Sequence, residues 1–146
     1  MISGPVPRLA ALAVVTDGDR VLLARRTNRP DAGLWGFPGG KVELGETVFD
    51  AAIRELREET TLTARAVQVI DNLDVIRHDT EGRLQMHFHL VAVLCTEAQG
   101  LAKASDDVSE AHWHEVTDIL NGHLALSKDV ARVLRRALEF QAVAGS

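Results

Sequence analysis

Glu55, Glu58 and Glu59 stand at i, i+3 and i+4 behind a Gly39-Gly40 pair, and this spacing defines the chemistry open to the chain. At about 100° per residue a helix brings all three onto one arc of its surface. Like charges stacked there oppose the helix by roughly 0.2–0.5 kcal/mol per pair, so something has to offset them. A hard divalent cation can do so. Mg²⁺ takes oxygen ligands, accepts a few carboxylates, and shares the rest of its shell with water and phosphate. The glycines fit the same picture, because a backbone without side chains lets a carbonyl approach a cation or a phosphate closely. Taken alone, Arg54-Glu55-Leu56-Arg57-Glu58-Glu59 fits an ordinary solvated helix face better, with Arg54 and Glu58 as an i,i+4 pair. The spacing of Gly40 and Glu46 upstream reverses that preference.

The stretch resembles the Nudix box, G-x5-E-x7-R-E-U-x-E-E-x-G-U, where U is a bulky aliphatic residue. Gly40, Glu46, Arg54, Glu55, Leu56, Glu58, Glu59 and Leu62 fall on the pattern without a gap, over residues 40–62. One position departs from it: the glycine near the end of the box is Thr61 here. A match of this length is far more specific than a lone glycine motif. The resemblance implies a Mg²⁺- or Mn²⁺-dependent pyrophosphohydrolase, with Glu55, Glu58 and Glu59 as metal ligands and the Gly39 carbonyl beside them. Arg54 and Glu46 are then groups that orient those ligands. It also implies an α/β/α sandwich, a mixed sheet with flanking helices, as one Nudix domain over residues 1–146.

Phosphoanhydride hydrolysis also needs a proton acceptor, and members of the family differ in where it comes from. Some use a glutamate of the box and others a carboxylate of a later loop. That loop is Asp106-Asp107-Val108-Ser109-Glu110 here, and Glu110 is the expected catalytic residue or further ligand beside Arg54, Glu55 and Glu58. An acidic solvated loop is the competing account. Arg25, Arg26 and Arg29 precede the box, and with Gly40 they are the expected substrate contacts, since guanidinium forks grip phosphate bidentately. Trp35, beside Phe37 and Pro38, is expected to pack rather than stack on a base. His87 with His89, and His112 with His114, each lie on one strand face; without a cysteine or third histidine at suitable spacing, substrate-facing or hydrogen-bonded roles are favoured over zinc.

The substrate class that the resemblance favours is a nucleoside diphosphate linked to another moiety, of the ADP-ribose kind. The alternative is a MutT-like nucleoside triphosphate pyrophosphohydrolase, which Trp35-Gly36-Phe37-Pro38-Gly39-Gly40-Lys41 also resembles. A non-catalytic nucleotide-binding Nudix domain would lose box glutamates, and none is missing. An isoprenyl diphosphate isomerase of this fold would need another catalytic cysteine, whereas Cys95 sits in an apolar run.

Bulk composition agrees with a small-molecule substrate. A net charge of −5 argues against a nucleic acid polymer as partner. One cysteine in 146 residues allows no internal disulfide, so a reducing compartment is expected. No apolar run approaches membrane-spanning length, and a cytoplasmic protein with no membrane partner is the expectation. A homodimer is left open.

Around the box, Leu9–Val15 and Val21–Ala24 flank Asp17-Gly18-Asp19 as a hairpin, and Thr27–Gly36 reads as a loop. Thr47 is the expected N-cap of the acidic helix, whose apolar face would be Phe49, Ala52, Ile53, Leu56 and Thr60. At its end either a left-handed cap strains Thr61 by about 1 kcal/mol or the helix ends differently. Val67–Arg77 and Leu84–Cys95 form a second hairpin, Ala111–Val116 a further strand, and Ser127 caps a last helix.

Overall fold

The computed structural model describes residues 5–28 and 31–144. Strands β1 (Arg8–Asp17) and β2 (Arg20–Arg26) form the first hairpin, turning at Gly18. Short strands β3 (Trp35–Gly36) and β4 (Gly39–Lys41) follow, then helix α1 (Val48–Thr60). The long strands β5 (Thr63–His78) and β6 (Leu84–Gln99), strand β7 (Val108–Glu115), a short helix α2 (Val116–Leu120) and helix α3 (Val130–Ala144) complete the order.

The sheet is mixed. β1 runs parallel to β6 from Arg8 opposite Phe88 to Val15 opposite Cys95. Its other edge is shared, with β4 antiparallel along Ala10–Leu12 and β2 antiparallel at Thr16 and Asp17. β2 continues the sheet to β3 and β7, while β5 closes the opposite edge against β6.

The two faces follow from the period-2 alternation of the strands. Ala11, Ala13 and Val15 of β1, with Leu22, Val93 and Cys95, pack under Ala51, Ala52 and Leu56 of α1. Val14, Val21, Leu23, Ala92 and Leu94 face the other way, onto Val130, Val133, Leu134 and Ala137 of α3. One helix on each face gives the expected α/β/α sandwich. Cys95 belongs to this core, where burial pushes its thiol up to about 12.

Several expectations shift. Phe49 is exposed and Ala51 takes its place on the buried side of α1. Trp35 and Gly36 are strand rather than loop, β5 begins directly after α1, and β6 runs on to Gln99. Ser127 does not cap α3: the helix starts at Val130, and the Ser127 hydroxyl is buried without a hydrogen-bond partner among the described residues. Arg29 lies outside the described residues.

Both ends of α1 behave as the sequence suggests. The Thr47 hydroxyl accepts the Asp50 N–H at 3.0 Å. Thr61 adopts φ 65°, ψ 1°, and its N–H donates to the Arg57 carbonyl at 2.9 Å. Its hydroxyl also donates to the Leu101 carbonyl at 2.9 Å. Thr61→Gly removes about 1 kcal/mol of left-handed strain and one exposed hydrogen bond worth about half as much. We expect a net gain of a few tenths of a kcal/mol in urea unfolding; a loss of a full kcal/mol would mean that the hydroxyl outweighs the strain.

Candidate active site

A cavity of about 810 Å³ opens where β4 and the acidic arc of α1 meet the sheet face that α3 covers. Its lining divides by chemistry. Glu55, Glu58, Glu59, Gly39, Gly40 and Arg26 supply one part. Leu12, Phe37, Leu73, Phe88, Leu90 and Val133 supply an apolar part.

Helix periodicity places the glutamates, and burial differentiates them. Glu59 is 5% exposed, and its Oε2 accepts the Gly39 N–H at 3.1 Å. Burial pushes its carboxyl up to about 7, although the Gly39 amide and the charge of Arg26 pull the other way. Glu55 is also raised, first by burial, with Arg54 opposing and the charges of Glu58 and Asp106 adding to it. Glu58 is the outermost of the three.

Arg54 organises this cluster. Its Nε and Nη2 grip both oxygens of Glu46 at 2.8 and 3.0 Å, and Nη2 also donates to the Lys41 carbonyl at 2.9 Å. Nη1 donates to Glu55 at 2.9 Å and to Glu58 at 3.2 Å. All five N–H bonds of the guanidinium are thereby engaged, which fixes its plane. Arg54 in turn holds the Glu46 carboxyl below its usual range.

The glycine pair is required by packing. A Cβ on Gly40 would lie 2.5–2.7 Å from the Glu55 carboxylate, and one on Gly39 would lie 2.4 Å from the Ala11 carbonyl. The backbone of β4 therefore passes directly against the acidic arc.

The later loop reaches the cavity through different residues from the one expected. Asp106 and Asp107 line it, and Asp106 shares an open surface groove with Glu58 and Ser105. Glu110 instead lies on β7 opposite Arg25, and their side chains pair at 3.0 Å. Neither is among the residues lining the cavity, and Arg25 holds the Glu110 carboxyl low. Arg26, one residue on, does line it.

The histidines sit elsewhere. Met86, Phe88 and Leu90 face the cavity, whereas His87 and His89 alternate with them, and His89 Nδ1 lies 2.8 Å from Asp74 Oδ1. Trp35 is buried against the edge of His114, ring centroids 4.7 Å apart, so it packs as expected. Ser127 and Asp129 line the cavity and were not anticipated; the positive φ of Asp129, 69°, has no sequence signal beyond an aspartate before a helix.

As donors, Glu55, Glu58, Glu59 and Asp106 are all oxygen and mutually repulsive, with Glu55 and Glu59 drawn out of water and Glu58 and Asp106 exposed, which suits a hard divalent cation that keeps part of its water shell. Among the described residues no three acidic or histidine side chains already converge at ligand distance, because Arg54 holds Glu55 and Glu58.

The NUDIX domain profile matches residues 6–137. The chain belongs to the Nudix family. It is 30% identical over 113 residues to an ADP-ribose pyrophosphatase of Methanocaldococcus jannaschii, covering 77% of this chain and 64% of that protein. It is 34% identical over 102 residues to the CTP pyrophosphohydrolase of Escherichia coli, covering 61% and 76%. A MutT NUDIX hydrolase from Burkholderia pseudomallei superposes with a TM-score of 0.77 at 25% identity, covering 90% of this chain and 98% of that one. The chain thus spans a little under two thirds of the archaeal relative's length. Nudix hydrolases act on phosphoanhydride bonds and generally depend on a divalent metal. The box residues Gly40, Glu46 and Arg54 are here the ones that leave room for, brace and orient the glutamates.

Proposed function

We propose that the protein is a single-domain Nudix pyrophosphohydrolase dependent on Mg²⁺ or Mn²⁺, cleaving a nucleoside diphosphate linked to another moiety, with an ADP-ribose-like substrate favoured. The observation that carries this reading is the acidic arc of α1 facing Gly39 and Gly40 at the polar part of a cavity whose remainder is apolar. When bound, the metal would neutralise diphosphate charge and make a water more acidic. Glu55, Glu58 and Glu59 would hold it, with the Gly39 carbonyl. Arg54 orients Glu55 and Glu58, while Arg26 offers its guanidinium to the diphosphate. Glu58 and Asp106 face a common groove open to water, so the proton of the attacking water passes to one of this pair. The apolar wall with Phe88 takes the base.

The excess of acidic groups in the cavity supports this substrate class. Asp31, Asp74, Asp106, Asp107 and Asp129 line the cavity beyond the box against three cations there, Arg26, Arg77 and Lys128, of which Arg77 is paired with Asp31, so acidic groups are in excess. Another phosphate there meets repulsion, whereas ribose hydroxyls find acceptors. The archaeal relative named ADP-ribose pyrophosphatase supports the same choice. The E. coli relative named CTP pyrophosphohydrolase supports the triphosphate alternative.

Product analysis across ADP-ribose, nucleoside triphosphates, diadenosine polyphosphates and NADH tests the reading, which requires AMP plus ribose 5-phosphate from ADP-ribose and their loss on chelation. In the same assay Asp106→Asn should lower kcat at least tenfold and Glu110→Gln less than threefold. The reverse order would return the proton acceptor to Glu110.

A further inference from the structure

The last carbonyls of a helix need donors, and α1 obtains two of them from one short segment. Ser105 N–H donates to the Glu59 carbonyl and Lys103 N–H to the Thr60 carbonyl, both at 2.9 Å. The Thr61 hydroxyl adds a third tie, to the Leu101 carbonyl. These bonds lay residues 101–105 along the end of the helix.

That strap runs straight into the cavity. Ser105 opens a tight turn closed by the Val108 N–H, and Asp106, its second residue, has φ 56°. A positive φ at the second position suits the mirror-image turns, which Asp tolerates better than most residues. On the far side Thr27 fastens the turn, its N–H and hydroxyl both reaching the Asp107 carbonyl at 3.1 and 2.7 Å. Strained backbone at a residue other than glycine persists only where its surroundings impose it. Thr61 and Asp106 are two such residues, one at the root of the strap and one at its tip.

We propose that the Thr61 hydroxyl is a positioning device: by holding Leu101 it keeps the strap in register with the end of α1, and so holds the Asp106 carboxylate beside Glu55, Glu58 and Glu59. A glycine at this position would make the same turn with less strain and no tie. The inference rests on Asp106 belonging to the hydrolytic site, as proposed above.

The test uses the full chain carrying Thr61→Val, which keeps the β-branched shape without the hydroxyl, and Thr61→Ser, which keeps the hydroxyl. Both are also made with Asp106→Asn. In the metal-free protein Thr61→Val should speed amide exchange at Lys103 and Ser105 about two- to threefold while leaving Leu134 in α3 unchanged. With ADP-ribose and Mg²⁺ it should lower kcat about three- to tenfold with KM within twofold, and Thr61→Ser should restore both readouts. In the Asp106→Asn background Thr61→Val should cause no further fall in kcat. Unchanged exchange at Lys103 and Ser105 overturns the tie while leaving the reading of Asp106 standing. An undiminished fall in the Asp106→Asn background overturns the route through Asp106. Wild-type kcat in Asp106→Asn alone removes the reading of Asp106, and this proposal with it.

Discussion

Glu59→Gln is expected to fold and to lose at least about a thousandfold in kcat. The amide keeps the shape of the side chain, and its oxygen still accepts the Gly39 N–H. What disappears is a negative charge in a buried position, which is what a hard cation requires of it. The same substitution has an opposite effect on the metal-free fold. The folded-state value near 7 stands above the ordinary 4.5, so between those pH values the folded chain retains a proton that the unfolded chain has released. Stability from this group is therefore intact below about pH 4.5, falls as pH rises towards 7, and stays low above it. Glutamine carries no such penalty. Metal-free Glu59→Gln should exceed the wild type by about 1–3 kcal/mol in urea unfolding at pH 8, and the difference should close by about pH 4. Rates near wild type with Mg²⁺ present would remove Glu59 from the proposed metal site, and a constant stability difference across pH would mean that burial does not raise its carboxyl.

The glycine pair should separate chemistry from folding. Gly40→Ala sets a methyl group 2.5 Å from the Glu55 carboxyl carbon, and the yielding partner is the tip of a flexible side chain. Glu55 retreats, its bond from Arg54 breaks, and the acidic arc loses one member. We expect kcat/KM to fall about a hundredfold and Tm to move by no more than about 4 °C. Gly39→Ala meets the Ala11 carbonyl at 2.4 Å, inside the β1–β4 pairing, where only backbone can yield. That change should cost about 2 kcal/mol or more in folding. Equal effects on rate and stability in the two variants would mean that β4 is merely structural.

Much of this was legible in the chain because it is local. The glutamate arc, the Thr47 cap and the left-handed Thr61 each depend on neighbours within a turn or two. The alternation that divides β1 between α1 and α3 is likewise written along one strand. The ends of β5 and β6 were harder to read, since their pairing shifts register at Ala66/Gln68 and Val69/Asp71, and a bulge interrupts period-2 patterning. Glu110 shows the other limit. Its partner is Arg25, eighty-five positions away and brought opposite it only by the β2–β7 register. Sequence could nominate the acidic loop, but which carboxylate turns to the cavity depends on a pairing between distant strands. Phe49 failed for a related reason: periodicity places it at the edge of the apolar stripe, and Val48, Ala51, Ala52 and Leu56 are the residues that pack on the sheet instead.

The substrate assignment is the central claim, and it has a direct measurement. The box presents the same acidic arc to any diphosphate, so discrimination has to come from the acidic lining beyond it and the apolar wall with Phe88 and Ser127. Specificity constants for ADP-ribose, CTP and the four dNTPs, taken side by side at one Mg²⁺ concentration and one pH, compare those contributions alone. We expect kcat/KM for ADP-ribose to exceed that of every triphosphate. A tenfold preference for a triphosphate would contradict the account and make the protein a MutT-like nucleoside triphosphate pyrophosphohydrolase.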